Sequence, residues 1–70
     1  MKRSNEYDVP IWRKYYLTPS EASEYTGIGI KKIYQIIHDN IGADFLTEDG
    51  AHFKIKRVKF EQFLDDVSTL

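Results

Sequence analysis

Leu17-Thr18-Pro19-Ser20-Glu21-Ala22-Ser23-Glu24-Tyr25-Thr26-Gly27-Ile28-Gly29-Ile30-Lys31-Lys32-Ile33-Tyr34-Gln35-Ile36-Ile37-His38 is the stretch on which the fold turns. Thr18 can accept a hydrogen bond at a helix start, Pro19 fits the first helical position, and Glu21 stands where a capping box needs its acid. Leu17 and Ala22 are spaced to pack together across that start. The helix so begun runs to about Thr26 and stops at Gly27, a residue suited to the left-handed position after a helix. A second helix follows the Gly27-Ile28-Gly29 turn. Its Ile33, Ile36 and Ile37 fall on one buried stripe, while Ile30, Lys31, Tyr34, Gln35 and His38 fall on or beside the opposite face. Two short helices joined by a glycine-containing turn make a helix-turn-helix over residues 17–38, with Ile28 plugging the angle between them.

Downstream the period changes from helical to alternating. Phe45-Leu46-Thr47 leads through Glu48-Asp49-Gly50-Ala51 to His52-Phe53-Lys54-Ile55-Lys56, and Asp-Gly between two alternating runs predicts a β-hairpin. In its second strand Phe53 and Ile55 share one face, and His52, Lys54 and Lys56 share the other. From Arg57 to Val67 the pattern is helical again, with Phe60, Phe63, Leu64 and Val67 as an apolar stripe and the acids directed outward. Upstream, Pro10 suits a short turn, and Ile11, Trp12 and Tyr15 have the spacing to lie against one patch, with Trp12 read as a cover for the core edge. Residues 1–8 lack periodicity and are expected to form a flexible arm, leaving 9–70 as one domain. The expected class is α+β: a small winged helix-turn-helix with a two-stranded hairpin wing at about residues 45–57 and a C-terminal helix.

Composition narrows the function. A chain of 70 residues has a thin core, and the absence of cysteine removes disulfides and thiolate zinc sites. With His38 and His52 as its two histidines, no histidine-rich metal cluster is available, and neither metal nor cofactor is expected. Packing must rely on the four Phe, five Tyr and one Trp, each of which buries a large area. No apolar run is long enough to span a bilayer, and Met1 to Tyr7 lacks the apolar stretch of a signal peptide, so a cytoplasmic protein is expected. So small a chain has little room for a buried substrate pocket, which argues against an enzyme.

The formal net charge of −1 argues against a nucleic-acid partner until the charges are placed. Lys54, Lys56, Arg57 and Lys59 follow one another without an intervening acid, as do Lys31 and Lys32 between Ile30 and His38. These two stretches fall on the two elements that a winged helix presents to double-stranded DNA. On that placement Gln35 can pair with adenine edges, Lys31 with guanine or phosphate, and Ile30 with a thymine methyl, while Tyr34 can donate to a phosphate. Lys32 and His38 flank them, and His52, Lys54, Lys56 and Arg57 supply sequence-independent attraction along the wing. Each residue also has a plainer reading. Lys31 and Lys32 suit a solvated helix face, Tyr34 can tuck against the wing, and His38 can be an ordinary surface residue. Lys54 and Lys56 can guard a strand edge. The coincidence of the two basic stretches favours DNA.

The run Leu17 to Gly29, followed by Ile33-Tyr34-Gln35-Ile36-Ile37, His52-Phe53-Lys54-Ile55 and Phe60-Glu61-Gln62-Phe63-Leu64, resembles the excisionase family of small DNA-binding domains with a MerR-like winged-helix fold. Pro10-Ile11-Trp12-Arg13-Lys14-Tyr15 is similar more specifically to excisionases of conjugative transposons, and the likeness covers about residues 9–67. Gly29 stands where many members carry Ser or Thr, and Ile30 where many carry a polar group. The resemblance implies a recombination directionality factor. Such a protein binds and bends DNA near the ends of an integrated element and promotes excision by a tyrosine recombinase, without chemistry of its own. The expected single domain without an effector region is part of that likeness, and several copies on DNA are what the resemblance implies. A monomer in solution is expected because no apolar stripe remains unassigned once the core is built. A small winged-helix transcriptional regulator is the alternative, and a protein-interaction module such as an antirepressor is a third reading.

Overall fold

The computed structural model describes residues 9–67, so the expected arm at residues 1–8 lies outside the described residues. Along the chain come a 3-10 turn at Ile11–Arg13, strand β1 at Tyr16–Leu17, helix α1 at Pro19–Thr26 and helix α2 at Ile30–Asp39. Strands β2 at Leu46–Asp49 and β3 at His52–Lys56 follow, and helix α3 closes at Arg57–Asp66. The capping box forms as its residues require: Glu21 N–H donates to Thr18 Oγ1 at 3.1 Å, and Thr18 N–H donates to Glu21 Oε1 at 3.0 Å. Gly27 takes φ +80°, where a side chain would be strained, and its N–H closes α1 on the Ser23 carbonyl at 2.9 Å.

The core is built from every element but the 3-10 turn and β2. Leu17, Ala22, Ile33, Ile36, Ile37, Phe45, Ile55 and Phe60 are buried, and the stripe on α2 is therefore the one that its spacing dictates. Phe45 lies 5.2 Å from Phe60 and 4.8 Å from Phe63 between ring centroids, a contact that joins the β2 approach to α3. Tilted aromatic pairs of this kind add about 0.5–1.5 kcal/mol each beyond their buried area, useful in a domain without disulfides.

The sheet differs from the hairpin alone. It is three-stranded and antiparallel in the order β1-β3-β2, with Leu17 opposite Ile55 and Tyr16 opposite Lys56. A strand of two residues has no alternation to detect, and only its pairing reveals it. On the other side Leu46 faces Ile55 and Asp49 faces His52, so the hairpin turn is Gly50-Ala51, with Gly50 at φ +64°. The upstream aromatics also depart from expectation. Ile11 packs against the core, but Trp12 is 64% exposed and Tyr15 stands in solvent beside Tyr16. Helix α3 ends at Asp66, with Val67 already extended, and Glu61 turns inward to accept a hydrogen bond from the Tyr25 hydroxyl.

Candidate nucleic-acid interface

Three buried isoleucines fix the rotation of α2. Successive residues turn by about 100°, so the direction opposite Ile33, Ile36 and Ile37 carries Lys31, Gln35 and His38, with Tyr34 and Ile30 to one side and Lys32 to the other. All of these are exposed except Lys32, which is half-buried. Helix α2 is about 15 Å long, and a helix of this kind fits a major groove about 12 Å wide. Gly29 offers no side-chain cap, so no N-cap side chain satisfies the first-turn N–H groups of α2. They add positive potential beside Lys31.

Between α2 and the wing lies a groove of about 430 Å³. Thr18, Pro19 and Tyr34 line its helical side, and Asp49, Ala51, His52, Phe53 and Lys54 line its wing side. Tyr34 thus faces the wing while remaining 46% exposed. The short β1 explains the groove. It pairs only with Ile55 and Lys56, so the chain leaves the sheet at Thr18 and carries the α1 start past the uncovered half of β3.

The ten candidate residues separate into groups. Ile30, Lys31, Tyr34, Gln35 and His38 share the exposed side of α2, and His52 and Lys54 meet Tyr34 across the groove. Lys32 lies about 160° around the helix from Tyr34, on the flank away from the wing. Lys56 is half-buried at the base of the sheet, on the same face as Lys54. Arg57 is held by the fold: its Nε donates to the Lys14 carbonyl at 2.9 Å, its guanidinium lies 3.8 Å from Glu61, and its side chain is 19% exposed. It also sits 5.8 Å from the centroid of the Tyr25 ring.

Sequence reasoning missed two features of this surface. Thr18 and Pro19 were legible as a helix cap but not as a groove wall, because the β1–β3 pairing that brings them there has no sequence signature. Asp49 and Lys54 share a sheet face across the register and lie 3.7 Å apart. The basic stretch of the wing is acid-free along the chain but not in space.

Lys14 and Glu21 form an ion pair beside the α1 start. Partial burial pushes the Glu21 carboxyl up, but the bonds from Lys14 and the Thr18 backbone outweigh it and hold the group below its ordinary value.

With this surface in place, comparison with known proteins is decisive. The sequence matches the family described as the excisionase from transposon Tn916 over residues 2–70. The chain belongs to this excisionase family. A curated relative, the excisionase from transposon Tn916 of Streptococcus agalactiae serotype V (strain ATCC BAA-611 / 2603 V/R), is 38% identical over 63 residues, covering 90% of this chain and 94% of the relative. The family's span takes in both α2 and the wing, so the excisionase assignment covers the whole candidate surface. Among the described residues, no helix is long and apolar enough to cross a membrane.

Proposed function

We propose that this chain is a DNA-binding excision factor, not an enzyme, that seats α2 in the major groove near the ends of an integrated mobile element. Membership in the Tn916 excisionase family carries the reading, and the exposed outer side of α2 supplies a surface that suits it. In this docking Gln35 and Lys31 read base edges, Ile30 meets a thymine methyl, and Tyr34, Lys32 and His38 approach phosphates around the helix. The wing lies along the neighbouring backbone, with His52 and Lys54 at the groove and Lys56 behind them. Arg57 holds α3 against the Lys14 segment instead. Several copies, each monomeric before binding, bend the site and favour an excisive complex with a tyrosine recombinase in the cytoplasm.

Titration into labelled duplexes from the ends of the element that carries the gene tests this reading, against a scrambled duplex of equal length and at two salt concentrations. The expected result is tighter binding to the ends, with a salt-dependent component common to both duplexes. Equal binding to both would remove the ends as the target. Absence of binding by the folded protein would overturn the DNA reading.

A further inference from the structure

Helix α2 begins without a cap of its own and follows a turn that holds Gly27 and Gly29, yet a recognition helix must keep one angle to its scaffold. The bonds that fix this turn come from α1. Ser23 Oγ donates to the Ile28 carbonyl at 2.6 Å, and Ile28 N–H donates to Thr26 Oγ1 at 3.1 Å. The Thr26 hydroxyl in turn donates to the Ala22 carbonyl at 2.7 Å, which anchors it to the body of α1. Both backbone polar groups of Ile28 are therefore held by hydroxyls of the preceding helix, while the Ile28 side chain packs against the core.

We infer that Ser23 and Thr26 are positioning residues for DNA reading, clamping Ile28 so that α2 is presented at a fixed angle. The inference rests on the reading of α2 as the DNA-contacting helix. Neither hydroxyl touches DNA in this scheme. Their contribution is to the ordering of α2 before binding, which otherwise would be an entropic cost of complex formation. A loosened α2 still attracts phosphates through its lysines but loses the alignment that base contacts need.

The test uses the full chain, with Ser23→Ala, Thr26→Val and the double variant, and Thr26→Ser as the variant that keeps the hydroxyl. Two duplexes serve as probes: the tightest that the wild type selects from a random pool, and a scrambled version. At a temperature where every variant is folded, the ratio of the two affinities is expected to fall about threefold in each single variant and about tenfold in the double, the scale of one and two hydrogen bonds. Binding to the scrambled duplex stays as in the wild type, and Thr26→Ser keeps the wild-type ratio. In the free protein, amide exchange at Ile28 accelerates in Thr26→Val while Phe60 in α3 keeps its protection.

An unchanged ratio in the folded variants overturns the inference, as does an equal loss on both duplexes, which is the mark of a merely structural role. If the double variant does not fold, the single variants decide by the same criteria. If the wild type selects no duplex, the DNA reading of α2 fails and the positioning role with it, and exchange at Ile28 still reports whether the clamp exists.

Discussion

Helix α2 and the wing each carry a basic run without an intervening acid, Lys31-Lys32 in one and Lys54 to Lys56 in the other, but the two runs differ once folded. Among the described residues no carboxylate lies within 4 Å of Lys31, whereas Lys54 stands 3.7 Å from Asp49, its neighbour on the same face of the sheet. The helix draws its neighbours from three and four positions away, which are legible in the chain. A strand draws its neighbours from another strand, and their charges enter only with the register. The same contrast holds on the core side. Helix α2 buries three isoleucines, while the wing strands bury Ile55 alone and leave Leu46 and Phe53 half-buried.

The largest expected effect breaks the core half of this comparison. Ile33 is fully buried, so Ile33→Ala should cost about 2–5 kcal/mol of stability by lost transfer energy and a residual cavity. Phe53→Ala should cost less, because its ring is already partly in water. Urea unfolding of both variants checks the order, and a reversal would place the mechanical centre of the domain in the wing.

The outer faces are separated next by substitutions at the proposed contacts. Lys31→Ala or Gln35→Ala should change base preference, by about 1–3 kcal/mol at a contacted pair. Lys54→Ala should weaken all duplexes alike and reduce the salt slope, by less than Lys31→Ala does where Lys31 meets phosphate. Asp49→Asn sharpens the comparison in the opposite direction. Freed of its partner, Lys54 should bind every duplex more tightly by about twofold to fivefold, the range of an exposed ion pair. Affinities measured across two salt concentrations decide the matter, and no change in Asp49→Asn would mean that the wing stays clear of DNA.

Much of the fold was legible because it is local. The Thr18–Glu21 capping box, the stop at Gly27 and the isoleucine stripe of α2 each depend on residues within one or two turns of one another, and the structure has all three. The parts not legible depend on distant pairing. Two-residue β1 exists only because Leu17 and Tyr16 meet Ile55 and Lys56, and the groove beside Tyr34 exists only because β1 stops there. Arg57 illustrates the same limit. Its charge is evident in the sequence, but the Lys14 carbonyl and Glu61 that hold it are set by tertiary packing.

The smallest effect concerns the helical wall of the groove, where Thr18 and Pro19 are held by the capping box and by the Lys14–Glu21 pair. Because the folded Glu21 carboxyl titrates below its unfolded value of 4.5, the charged form is the one that the fold favours. Its contribution is fully present above that value and is lost as pH falls through the folded value. Glu21→Gln keeps a side chain able to complete the capping box but carries no charge. The wild type should therefore exceed Glu21→Gln in stability at neutral pH by less than about 1 kcal/mol, given partial exposure of the pair. The margin should close in acid. Urea unfolding of both proteins from pH 7 to pH 3 measures it. A constant margin would assign the effect to the shape of the capping box and not to the Glu21 charge.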